Sequence, residues 1–186
     1  KLLRSLLKNP DMRLEAARTL FRFYTENKNA PQVKALQDQL EGHDDLSGAE
    51  KLLILESRQR VDLPFDDPAI QELWKQVTNP LLKSRLAGWL VSVDRPELVI
   101  RLSQPIESID WEFPFGLPLA EAFILVESPE IALHGLNSVE WRGIDYLRTF
   151  TRARLSVGTP AVSSALKRAI HAASEERGGI PHLEDT

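Results

Sequence analysis

Apolar residues recur along most of this chain at spacings of three and four, the period of helices that each bury one face. In 10–28, Ala16, Ala17, Leu20, Phe21 and Tyr24 fall on one side, while Arg13, Arg18, Arg22 and Glu26 mark much of the other. In 46–62, Leu46, Ala49, Leu52, Leu53 and Val61 form a broad apolar stripe. The two-residue alternation of a half-buried strand is not sustained anywhere, and there is no Asn-Gly or Asp-Gly hairpin turn. Proline supplies the punctuation. Asn9-Pro10, Ala30-Pro31, Asp67-Pro68, Asn79-Pro80, Arg95-Pro96, Ser128-Pro129 and Thr159-Pro160 each precede a helical pattern. Proline fits the first helical turn because its missing N–H would be unpaired there. Asn9, Asp67, Asn79, Ser128 and Thr159 carry oxygens suited to capping the exposed N–H groups.

With these stops the pattern predicts about eleven helices, at 1–8, 10–28, 31–41, 46–62, 67–78, 80–93, 95–104, 117–127, 129–140, 144–157 and 160–177. Most connections are short, which makes neighbouring helices antiparallel. The irregular stretch 105–116 is the exception and reads as a bridge. Taken in pairs, the second helices begin near 10, 46, 80, 117 and 144, mostly thirty-odd residues apart. A two-helix unit at that period is the mark of a repeat array. The expected fold is therefore all-α, one helical-repeat domain over 1–186, built from about five antiparallel helix pairs.

Two segments share a skeleton. Asn9-Pro10-Asp11-Met12-Arg13-Leu14-Glu15-Ala16-Ala17-Arg18-Thr19-Leu20 aligns with Asn79-Pro80-Leu81-Leu82-Lys83-Ser84-Arg85-Leu86-Ala87-Gly88-Trp89-Leu90. Asn-Pro, an apolar residue, a basic residue, Ala and Leu recur in both. The skeleton resembles the second-helix motif of HEAT-like repeats. That resemblance implies a right-handed α-solenoid with an exposed concave face for a partner. It implies that Ala17 and Ala87 are close-packing positions, and that Asp11, Arg13 and Lys83 make polar contacts between repeats. Position 81 is Leu where the family pattern has Asp, and Pro129-Glu130-Ile131 and Pro160-Ala161-Val162 are looser echoes without the basic residue. The tetratricopeptide pattern of Trp, Leu-Gly and Tyr at fixed offsets is not visible.

Composition narrows the function classes. No apolar run approaches the roughly 20 residues of a membrane span. Cysteine is absent, which removes thiolate nucleophiles and sulfur ligands. The chain begins at Lys1 and its one Met is Met12, so it is expected to be a fragment of a longer protein. A cytoplasmic location is the working expectation.

The search for chemistry returns no catalytic residue, no metal site and no cofactor motif. His43, His134, His171 and His182 form no zinc-binding pair. His43 beside Asp44 and Asp45 reads as a solvated turn. No nucleophile elbow, phosphate loop or dinucleotide turn occurs.

Two features stand out as candidate contacts. The first is Asp110-Trp111-Glu112-Phe113-Pro114-Phe115-Gly116, where Trp111, Phe113 and Phe115 alternate and, if extended, share a side. They read either as an aromatic platform for a partner or as a plug between repeats. The second is charge asymmetry. From 142 to 168, Arg142, Arg148, Arg152, Arg154, Lys167 and Arg168 face one acid, Asp145. Arg148 and Arg152 are four apart and share a helix face. From 38 to 72, ten acids face Lys51, Arg58 and Arg60.

The sequence thus points to a scaffold binding a partner protein or peptide along its concave face, through Trp111, Phe113, Phe115, Arg148 and Arg152. A nucleic acid or other anionic partner at the basic end is the second reading, opposed by the net charge of −4. A helical accessory domain of a larger enzyme is the third.

Overall fold

The computed structural model describes residues 2–105, 111–140 and 143–157. The described residues form ten helices and no strand: α1 (Leu2–Leu6), α2 (Pro10–Glu26), α3 (Ala30–Glu41), α4 (Gly48–Arg60), α5 (Asp67–Gln76), α6 (Pro80–Ser92), α7 (Pro96–Leu102), α8 (Gly116–Leu125), α9 (Pro129–Asn137) and α10 (Ile144–Ser156). The regular structure of the described residues is all-helical, as the apolar period predicts. The largest boundary error is at the end of α9, expected at 140 and found at 137. The expected helix 160–177 lies outside the described residues. None of the described helices is long and apolar enough to cross a membrane.

The caps explain most of the boundaries. Asn9 accepts from the Asp11 N–H at 3.0 Å, Asn29 from the Gln32 N–H at 3.2 Å, and Asn79 from the Leu82 N–H at 3.1 Å. The aligned asparagines of the shared skeleton therefore do the same job. Ser47 was not foreseen. It forms a capping box with Glu50, so α4 begins at Gly48 rather than at Leu46. Asp67 is not a cap but the first residue of α5, and neither Asp66 nor Ser128 makes a side-chain cap bond.

The C-terminal turns repeat. Just beyond α2, α4, α6 and α8, residues Lys28, Asp62, Asp94 and Glu127 adopt left-handed φ of 49°, 57°, 60° and 61°. In each case the next N–H reaches back five residues: Asn29 to Tyr24, Leu63 to Arg58, Arg95 to Leu90 and Ser128 to Phe123, all at 2.9 Å. This is the closure of the Schellman motif, which satisfies carbonyls that the helix end leaves unpaired. A proline follows each turn, at Pro31, Pro64, Pro96 and Pro129. None of the four left-handed residues is glycine, so the flanking helices rather than local freedom set the turn. The turns lie at positions 28, 62, 94 and 127, so successive intervals are 34, 32 and 33 residues.

The chain divides into two compact units, 1–86 and 87–186, with the boundary inside α6. In the first unit α2 packs against α1, α3 and α4, α3 against α4, and α4 against α5. Its core gathers Leu7, Ala17, Phe21, Val33, Leu40 and Ile54. Ala17 is fully buried, as the resemblance implies. In the second unit α8 packs against α7, α9 and α10, and α9 against α10. α8 is apolar almost all round, which suits a helix with three neighbours. Leu119, Ala120, Ala122 and Phe123 are buried there, and Ala87 is fully buried in the same unit.

Candidate functional site

The acid-rich stretch 38–72 lines an opening in the first unit. α3 and α5 both pack on α4. Between them lies a cleft of about 530 Å³, lined by residues of α3, α4 and α5 and of the loops that join them. That is the size of a pocket for a small ligand or a few side chains. Its floor is apolar: Ile54, Leu55 and Leu73 are buried, and Leu46 and Phe65 are half-buried at its edge. Its rim is acidic: Glu41, Asp44, Asp66 and Glu72 are all exposed. Two of these are oriented by amides, Glu41 by Gln37 and Glu72 by Gln76, each at 2.7 Å.

Lys51 and Arg58 are the cations of the cleft. Lys51 donates to Gln76 at 2.6 Å. Arg58 sits in the last turn of α4, half-buried, and its Nε lies out of water with no acceptor. His43, half-buried, lies on the same wall. Among the described residues no group of three or more potential metal ligands gathers, here or elsewhere.

One side of the cleft is held rigid from behind. Arg13 of α2, only 3% exposed, donates through Nε to Glu50 Oε1 at 2.6 Å and through Nη1 to Asp45 Oδ1 at 2.8 Å. Glu50, also 3% exposed, accepts from the Ser47 N–H at 2.8 Å and the Ser47 hydroxyl at 2.7 Å. The network fixes the loop 43–47, which carries His43, Asp44 and Leu46 into the cleft. Burial alone raises the Glu50 carboxyl, but the hydrogen bonds from Arg13 and Ser47 outweigh it and hold the group below its ordinary 4.5. The Arg13 hydrogen bond likewise holds exposed Asp45 below 3.8. Arg13 is raised by the same two carboxylates, Glu50 first. Of the polar contacts that the resemblance implies, Arg13 is the buried bridge between α2 and α4. Lys83 lies over the Trp74 ring at 5.1 Å, and Asp11 is exposed in the first turn of α2.

The residues singled out from the sequence lie in the second unit, and Trp111 among them is not on its surface. Trp111 is buried, with its ring 5.9 Å from that of Phe123 and pressed against Gly135. Phe113 is 69% exposed, and Phe115 is half-buried at the start of α8. The expectation that the three share a side is corrected. The segment turns at 113–115 instead of running extended, so Trp111 points inward and Phe113 outward. Arg152 approaches Glu121 at 3.4 Å, Arg148 approaches Asp145 at 3.9 Å, and Arg154 lies over the Phe150 ring at 5.1 Å. Arg142, Lys167 and Arg168 lie outside the described residues.

The cleft residues were missed because the acid-rich stretch reads, one helix at a time, as solvated faces. Its signal was the surplus of ten acids over three cations across two helix connections. Comparison with protein-family models, curated proteins and solved structures finds no match.

Proposed function

We propose that this chain is a helical-repeat interaction module that binds a segment of a partner protein, and that the cleft between α3 and α5 is its receiving face. The observation that carries the reading is the recurrence of one turn at intervals of 34, 32 and 33 residues. Each copy joins a helix to a shorter one, and α1 to α5 pack in sequence order in the first unit as α7 to α10 do in the second. Helix pairs related in this way stack as a solenoid, and solenoids bind partners along open grooves. The period is nearer to the 34 residues of tetratricopeptide units than to the roughly 40–47 of HEAT units. The HEAT-like resemblance therefore rests on the local motif of α2 and α6, not on repeat length.

A protein that works by this cleft loses its partner when the cleft is filled. Ala69 lines the cleft and is exposed on α5. Ala69→Trp adds bulk there without touching the core. Quantitative capture from extract of the source cells, with parent and variant side by side, should show at least one specific partner depleted about tenfold by the variant, the effect of roughly 1.4 kcal/mol. Equal capture by two proteins of equal helicity would rule out the cleft as the receiving face.

A further inference from the structure

We infer that the occupant of the cleft is the carboxyl-terminal segment of a partner chain, with its terminal carboxylate on Arg58, a large apolar side chain over Ile54, Leu55 and Leu73, and lysine or arginine against the acidic rim. The inference rests on the interaction-module reading and adds the chemistry of the partner. Three independent features of the cleft select it.

The first is Arg58. A guanidinium offers a planar fork of donors matched to a carboxylate. Arg58 lines the cleft and is half-buried, and its Nε is out of water without an acceptor. A donor removed from water without a partner is a standing cost. Four carboxylates line the same cleft, yet Arg58 forms no ion pair among the described residues. Arg13 and Arg85, by contrast, hold Glu50 and Glu56. Arg58 thus lines the cleft without a carboxylate of its own, and the part of its guanidinium that half-burial leaves open is available to an acceptor brought into the cleft.

The second feature is the rim. Ten acids face three cations between 38 and 72, and Glu41, Asp44, Asp66 and Glu72 of that stretch open onto the cleft. This field opposes a segment rich in Asp or Glu and draws in a basic one. A chain terminus reconciles the two demands. It brings one carboxylate to Arg58, and the side chains upstream remain free to be lysine or arginine. An internal acidic side chain offers the same group to Arg58 but carries the chain past the rim on both sides. The third feature is the apolar floor, which sets the need for one large hydrophobic residue near the terminus.

The test uses a library of random ten-residue peptides displayed with free carboxyl termini and selected on the intact chain. Enriched peptides should carry lysine or arginine and one large apolar residue close to the end. Re-synthesised with an amidated terminus, they should bind roughly ten- to a hundredfold more weakly, the worth of a charge-assisted hydrogen bond. Arg58→Gln should weaken the free-acid peptide by the same factor and abolish the difference between acid and amide. The amidation comparison needs no variant, so a misfolded Arg58→Gln does not protect the idea. Enriched peptides that are acidic, or indifferent to amidation on the parent protein, overturn the assignment of Arg58 and leave the interaction module standing. A library from which nothing binds, or whose binders survive Ala69→Trp, overturns both.

Discussion

Arg13→Ala is expected to destabilise the first unit by about 3–5 kcal/mol, the cost of leaving a buried carboxylate without its cation. Glu50 is 3% exposed, and Arg13 supplies both its short hydrogen bond and its countercharge. Ser47 alone remains to satisfy it. The penalty should also depend on pH, in a direction that the two states dictate. In the parent, the folded-state Glu50 carboxyl lies below its ordinary 4.5, so its contribution is fully present above that value and is lost as pH falls through the depressed value. In the variant, burial is opposed by the Ser47 hydrogen bonds alone, and the folded carboxyl lies higher than in the parent. Acid therefore costs the parent more than the variant, and the two stabilities draw together as pH falls through the depressed parent value. Urea unfolding at pH 7 and again below pH 4 measures both quantities. A loss under 1 kcal/mol at pH 7, or an equal loss at both values, would show that the bridge between α2 and α4 is a bystander.

The second large effect is expected at Gly135. A Cβ placed there would lie 2.1 Å from Trp111 Cδ2 and 2.3 Å from two further indole atoms. No rotation of a rigid ring clears three such contacts, so Gly135→Ala expels Trp111 from its seat or spreads α9 from the segment before α8. Overpacking alone costs about 1–3 kcal/mol, and losing a buried tryptophan brings the total to about 3–5 kcal/mol. The effect should be conditional. In a Trp111→Ala background the notch is empty, and Gly135→Ala should cost nothing or stabilise by up to about 1 kcal/mol, the helical preference of Ala over Gly. Four proteins and four denaturation curves complete the cycle. Additive effects would mean that Trp111 does not occupy the notch.

The sequence reading located the helices well and their partners poorly, for physical reasons. Helix starts are local: Asn9-Pro10 and Asn79-Pro80 carry the cap and the first turn within two residues. Burial on a helix face is nearly local too, and Ala16, Ala17, Leu20 and Phe21 are buried where the period puts them. The repeated turn was half-visible. Its period showed in the helix starts, but its left-handed residues are Lys, Asp, Asp and Glu, so the usual glycine signal is missing. Arg13 was picked out by motif, while its partner Glu50 stands thirty-seven positions away and reads alone as a capping residue. The aromatic segment misled because alternation implies a shared side only for an extended chain, and this one turns. The cleft was invisible helix by helix, since its acids come from α3, α5 and two loops, and they face one another only after α4 has brought those elements together.

Hydrogen exchange of the chain, with and without a library-selected peptide, tests the central claim most directly. The account predicts slowed exchange confined to the end of α3, the loop 43–47, and the facing turns of α4 and α5. Slowing centred on Trp111–Phe115 or on the Arg148 and Arg152 turns of α10, with the cleft unchanged, would contradict it.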